Sequence, residues 1–194
     1  VPEVSDYGAE PESVRTMYGL DDPKTEDMGR RCLLGRRLLE QGVRFVQIYS
    51  GGPIAGSPRA SWDAHESVRQ NHGVEAARID RPVAALLKDL RLRGMLDDTL
   101  VLFTTEFGRG PYVQSPGTNG RGHWSRVYSS WLAGAGIKGG MTYGSSDERG
   151  DDVAEDVVGV HDFQATILQQ LGLDHERLTY RYSGRDFRLT DVYG

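Results

Sequence analysis

From Thr99 to Thr105 the chain reads Thr-Leu-Val-Leu-Phe-Thr-Thr, with no charged residue and mostly β-branched or aromatic side chains. A run of this kind has no polar face to turn to water. It predicts a strand buried on both faces, the place such strands hold in a parallel sheet covered by helices. The segments around it fit the same reading. Met28, Cys32, Leu34, Leu38 and Leu39 recur at helical spacing between Thr25 and Glu40, with Thr25 or Asp27 as the cap and Gly42 as the stop. Val43 to Tyr49 reads as a strand, and Gly51, Gly52, Pro53, Gly56 and Pro58 mark a long loop after it. Asn71 to Leu96 reads as a second helix, with Pro82 starting its main turn or kinking it. Arg126 to Ala133 reads as a further strand, and His161 to Leu171 as a helix closed by Gly172. Val1 to Lys24 reads as an irregular entry segment. Strand and helix in turn predict an α/β fold, a mostly parallel sheet flanked by helices, in a single domain over residues 1–194.

Composition narrows the function classes. A hydrophobic fraction of 38% with 26% charged residues describes an ordinary folded chain, neither disordered nor membrane-embedded. No apolar run approaches the roughly 18 residues of a membrane helix, so no membrane span is expected. The net charge of −5, with both signs mixed along the chain, argues against a nucleic-acid partner. Cys32, the one cysteine, lies among leucines and reads as a core thiol. Many of the 25 glycines fall between Gly108 and Gly150, where they imply tight turns and close backbone approaches.

In open α/β folds ligands sit in the loops at the carboxyl ends of strands. Here those loops hold Ser61-Trp62-Asp63-Ala64-His65, then Thr105-Glu106-Phe107-Gly108-Arg109, then Gly120-Arg121-Gly122-His123-Trp124. Asp63, Glu106, His65 and His123 would make a mixed oxygen and nitrogen site suited to zinc or manganese. Asp63 and His65, two apart in an extended segment, point to one face. No compact zinc signature of the His-Glu-x-x-His kind is present. Each residue also has an ordinary role open to it. Glu106 can pair with Arg109 or Arg121 or cap a turn, and His72 can hydrogen-bond at a helix N-terminus. His161 and Asp162 can cap the helix that begins there. The glycines from Gly134 to Gly140 match neither a Walker loop nor a dinucleotide fingerprint.

The longer motifs resemble a family. They are Thr-Glu-Asp-Met-Gly-Arg-Arg-Cys-Leu-Leu from Thr25, Gly-Val-Arg-Phe-Val-Gln-Ile-Tyr from Gly42, and Ser-Trp-Asp-Ala-His from Ser61. Glu-Phe-Gly-Arg and Gly-Arg-Gly-His-Trp follow, then Trp-Leu-Ala-Gly-Ala-Gly-Ile-Lys-Gly-Gly from Trp131 and Leu-Gly-Leu-Asp-His-Glu-Arg-Leu-Thr-Tyr-Arg from Leu171. Together they resemble an uncharacterised bacterial group, the domain of unknown function numbered fifteen hundred and one, often labelled sulfatase-like. The group looks like a branch of the alkaline phosphatase superfamily, and the resemblance covers nearly all of the chain. It implies that Asp63 and His65 form the first metal-binding pair. It also implies that Glu106 stands where a ligand Asp-His dipeptide would begin, and that His123 matches a later ligand histidine. Three positions depart from the pattern: Phe107 replaces the dipeptide histidine, Gly122 an Asp, and Gly110 a Thr. The resemblance further implies an exported or periplasmic bacterial protein. Its relatives have an N-terminal half with a further ligand and the nucleophile, which would leave this chain as the C-terminal portion.

The expected function is metal-dependent hydrolysis of sulfate or phosphate esters, free or polymer-linked. Asp63, His65, Glu106 and His123 would hold zinc or manganese. Arg109 and Arg121 are candidates to hold the tetrahedral anion, since guanidinium forks match its oxygens, with solvated surface arginines as the alternative. The competing class is a non-catalytic fold relative that binds sugars, polymers or another chain, and Phe107 and Gly122 favour it. A nucleotide-binding module is disfavoured by the lack of a Gly-rich strand-to-helix turn.

Overall fold

The computed structural model describes residues 3–51 and 61–190. The loop positions read at Gly52, Pro53, Gly56 and Pro58 lie outside the described residues. The described chain gathers into two compact units. The first takes in the chain up to Leu96 together with Tyr112–His123, and the second takes in Asp97–Pro111 and the chain from Trp124 onward.

Helices dominate the first unit. The short helix α1 (Glu12–Met17) lies in the segment that the sequence reads as irregular. Its six residues send only Val14 and Met17 toward the core, too few to show a helical period. Helix α2 (Glu26–Glu40) follows the expected bounds closely. It stops at Gly42, whose φ of 83° lets the amides of Gly42 and Val43 cap Leu39 and Leu38 at 2.9 and 3.1 Å. Helix α3 (Val68–Leu92) starts three residues earlier than expected and runs through buried Pro82 without ending. The core lies where α2 packs on α3, around Tyr18, Met28, Cys32, Leu33 and Ala85. Cys32 is 2% exposed and burial pushes its thiol up to about 12, so it serves as packing, as expected.

A second element of this core is ionic. Buried Arg36 of α2 pairs with Glu10 at 2.7 Å, Glu40 at 2.6 Å and Asp89 of α3 at 3.0 Å. Asp89 also accepts from the Tyr18 hydroxyl at 3.0 Å. Burial, and then the Asp89 carboxylate, push the Tyr18 phenol far above its ordinary value, so it remains a donor. Desolvation opposes the charge on Arg36, but its hydrogen bonds to Glu10 and Glu40 outweigh that and raise its pKa.

The strands correct the expected fold class. Among the described residues the sheets are short ladders of two strands, and each ladder with a resolved register is antiparallel. The Thr99–Thr105 run yields only β1 (Val101–Phe103), which pairs antiparallel with β4 (Trp131–Ala133). Arg126–Ser130, expected as strand, lies outside β4. The reason is in the connection. A parallel neighbour needs a crossover, usually a helix, whereas β1 and β4 are joined through the paired strands β2 (Gly108–Val113) and β3 (Arg121–Trp124). Nor is β1 buried on both faces: its middle residue Leu102 is 37% exposed, and Phe103 stacks on its cross-strand partner Trp131 at 5.5 Å.

Val43–Tyr49 keeps the alternation of a strand but has no ladder partner among the described residues. Val46 and Ile48 pack toward Gly35 of α2, while Phe45 and Tyr49 face outward. The second unit also holds β5 (Ser145–Ser146) against β6 (Val153–Glu155), helix α4 (Val160–Gln170), and the hairpin of β7 (Thr179–Tyr182) with β8 (Arg185–Arg188). Asp162 caps α4 by accepting from the Gly159 amide at 2.8 Å, the ordinary role its position suggested. No helix among the described residues is long and apolar enough to cross a membrane.

Candidate metal centre

The site is built in the first unit on the loop that leads into α3. Two tight turns shape it: the Ala64 amide donates to the Trp62 carbonyl at 2.9 Å and the His65 amide to the Asp63 carbonyl at 3.2 Å. Ala64 between them is buried to 1% exposure, which anchors the loop and leaves Asp63 and His65 on its outer side. The loop is held from behind by His72 of α3, whose Nε2 bonds the Trp62 carbonyl at 2.9 Å. That matches the ordinary role expected for His72. The Trp62 indole donates to Ser50 Oγ at 3.0 Å.

The third side chain arrives on β3. The Arg121 amide donates to the Ala64 carbonyl at 3.2 Å, and the Val68 amide to the Asn119 carbonyl at 3.3 Å. These two bonds lay the start of β3 along the loop. Gly120 makes so close an approach possible, because a Cβ there would collide with the backbone carbonyl of His65. Two residues after Arg121, His123 then meets the pair.

Nε2 of His65 and Nε2 of His123 each lie 2.8 Å from Asp63 Oδ1, and 3.1 Å from one another. One oxygen and two nitrogens thus face a common point. Zinc at its usual bond lengths would set tetrahedral ligand atoms roughly 3.3 Å apart, so the trio is close to a binding arrangement. Two imidazoles and a carboxylate are also the donor types that zinc and manganese accept. The side chains are 37%, 37% and 49% exposed for Asp63, His65 and His123, which leaves a face open to an ion and a further ligand.

Gln114, near the end of β2, completes the arrangement and was not anticipated. Its Oε1 faces His65 Nδ1 in a short hydrogen bond. With Nδ1–H donating there, the His65 lone pair sits on Nε2, toward Asp63 and His123. A lone glutamine matches no ligand motif, and Gln114 reaches His65 from the bend just after β2, where its amide donates to the Gly120 carbonyl at 3.3 Å. Replacing Gln114 with leucine should weaken zinc binding roughly 10- to 100-fold in a calorimetric titration, as loss of an orienting partner does elsewhere.

The structure thus brings together three of the four expected ligands, Asp63, His65 and His123. Glu106 belongs to the second unit and is not a member of this group. It is exposed, and one carboxylate oxygen accepts from Thr105 Oγ1 at 3.3 Å. Arg109 lies half-buried on β2 in the second unit. Arg121, half-buried at the start of β3, donates from Nη1 to the Gly120 carbonyl at 3.2 Å and shares its strand with His123.

No curated protein and no solved structure matches the chain. Residues 1–194 match the family model described as "Protein of unknown function (DUF1501)", and the chain belongs to that family.

Proposed function

We propose that the chain carries the metal centre of a hydrolase acting on sulfate or phosphate esters, with zinc or manganese held by Asp63, His65 and His123. The observation that carries this reading is the convergence of one carboxylate oxygen and two imidazole nitrogens within 4.8 Å on an accessible surface. A divalent cation there would supply charge stabilisation for the oxyanion that develops as an ester is cleaved. Asp63 contributes the negative charge that favours a cation, and Gln114 holds the His65 ring in its ligating orientation. Arg121 and His123 are two apart on β3 and project to one face. That shared face supports reading the Arg121 guanidinium as the group that would bind the oxygens of an ester at the centre.

Assay of the full-length protein on aryl sulfate and aryl phosphate, with zinc or manganese supplied, tests this. Metal-dependent turnover that disappears in Asp63→Asn is the expected result. Stoichiometric metal without turnover on either ester would replace the hydrolase with a metal-dependent binding module. That second reading draws on Phe107, an apolar residue at the place where the resemblance calls for a nitrogen ligand.

A further inference from the structure

A groove of about 1080 Å³ runs along α3 beside the candidate metal centre, within the first unit. Its charged lining residues are Lys24, Arg69, Arg78 and Arg121, and no carboxylate joins them among the described residues. The chain as a whole has 28 acidic and 23 basic residues, so a lining drawn at random would hold more acids than bases. The charge is therefore locally sorted, and the groove is a cationic strip on an acidic protein. Arg78 shares its charge with buried Glu75 at 2.6 Å. Lys24 and Arg69 are exposed.

Shape narrows the ligand. Arg69 and Arg78 both line the groove and stand nine positions apart on α3, roughly 13 Å along the helix axis. That is longer than one tetrahedral anion and fits several in series. Val74 and Ala77 line the same stretch, apolar surface on which a polymer backbone can rest. Two short links join the groove to the centre. Ser67 lines the groove two residues after His65, and Arg121 lines it two residues before His123. On strand β3 the two residues from Arg121 to His123 span roughly 7 Å.

We propose that this groove binds an anionic polymer carrying repeated sulfate or phosphate groups, and holds it so that one ester of the chain lies at Asp63, His65 and His123. The second half of that statement rests on the hydrolase reading, and the binding does not. A nucleic acid is the lesser fit, because no aromatic side chain lines the groove among the described residues to stack on bases.

The test is calorimetric titration of the full-length protein with dextran sulfate, polyphosphate, neutral dextran and a single-stranded oligonucleotide, at about 50 mM and about 200 mM salt. Dextran sulfate or polyphosphate should bind, more weakly at the higher salt, and the tighter of the two identifies the anion. The double variant Lys24→Gln, Arg69→Gln should bind at least about tenfold more weakly. Both side chains are exposed, so its melting temperature should match the parent's and show that folding is intact. Binding no tighter than that of neutral dextran, or equal binding by the double variant, overturns the proposal. So does tighter binding of the oligonucleotide. Polymer binding without ester hydrolysis leaves the groove and removes the hydrolase. Hydrolysis of small esters without polymer binding does the reverse.

Discussion

Replacing Arg36 with methionine should lower the unfolding free energy by about 3–5 kcal/mol, the usual cost of removing one partner from a buried ion pair. The expectation comes from what is left behind. Glu10 and Asp89, with side chains 10% and 5% exposed, would keep their charges in a site with little water. Arg93 still reaches Asp89 at 2.8 Å but lies 3.9 Å from Glu10, so it cannot replace Arg36 at both. For a chain of this size the melting temperature should fall by about 6–20 °C. Adding Glu10→Gln to the methionine variant should restore part of the loss, since a neutral amide does not need the guanidinium. Thermal unfolding of the parent, the single and the double variant checks both parts. A shift within about 1 °C for Arg36→Met would mean that Glu10 and Asp89 are already solvated.

The second large effect is at the metal centre. Zinc at about one hundred times its dissociation constant should raise the stability of the parent by about 2.7 kcal/mol, because the folded chain alone presents the assembled site. In His123→Ala one of three ligand atoms is gone, and affinity should fall on the order of a hundredfold. At the same zinc concentration the variant should then gain only about 0.4 kcal/mol. Melting curves with and without zinc read this directly. His123 is exposed and lies outside the core, so the variant should melt near the parent when no metal is added.

These two sites were unequally legible in the sequence. Helix α2 was readable almost to its ends, because Met28, Cys32, Leu34, Leu38 and Leu39 recur at helical spacing and Gly42 supplies the stop. The ion network around Arg36 was not. It joins residues from three separate segments, and an arginine within an amphipathic helix looks like any solvated one until its partners are known. The strand readings went wrong in an instructive way. Leu100–Phe103 is apolar enough for a strand covered on both faces, but composition says nothing about the direction of a partner. That direction was decided by the paired strands β2 and β3 that intervene. Val43–Tyr49 has the β-branched and aromatic residues of a strand, yet it forms no ladder among the described residues, because residue type supplies no partner.

At the site, the spacing of Asp63 and His65 was informative because the intervening Ala64 is buried and the two flanking side chains are not. His123 joins them through two backbone hydrogen bonds and one glycine, features invisible to a ligand motif. Gln114 carried no signal at all. Its role follows only from its hydrogen bond to His65 Nδ1.

Metal binding at Asp63, His65 and His123 is read by the metal content of the purified protein after dialysis against zinc or manganese, compared with an Asp63→Ala, His123→Ala double variant. Close to one ion per chain is expected in the parent and almost none in the variant. Equal content in the two proteins, or no metal in either, would contradict that expectation and leave Asp63, His65 and His123 as a hydrogen-bonded surface cluster.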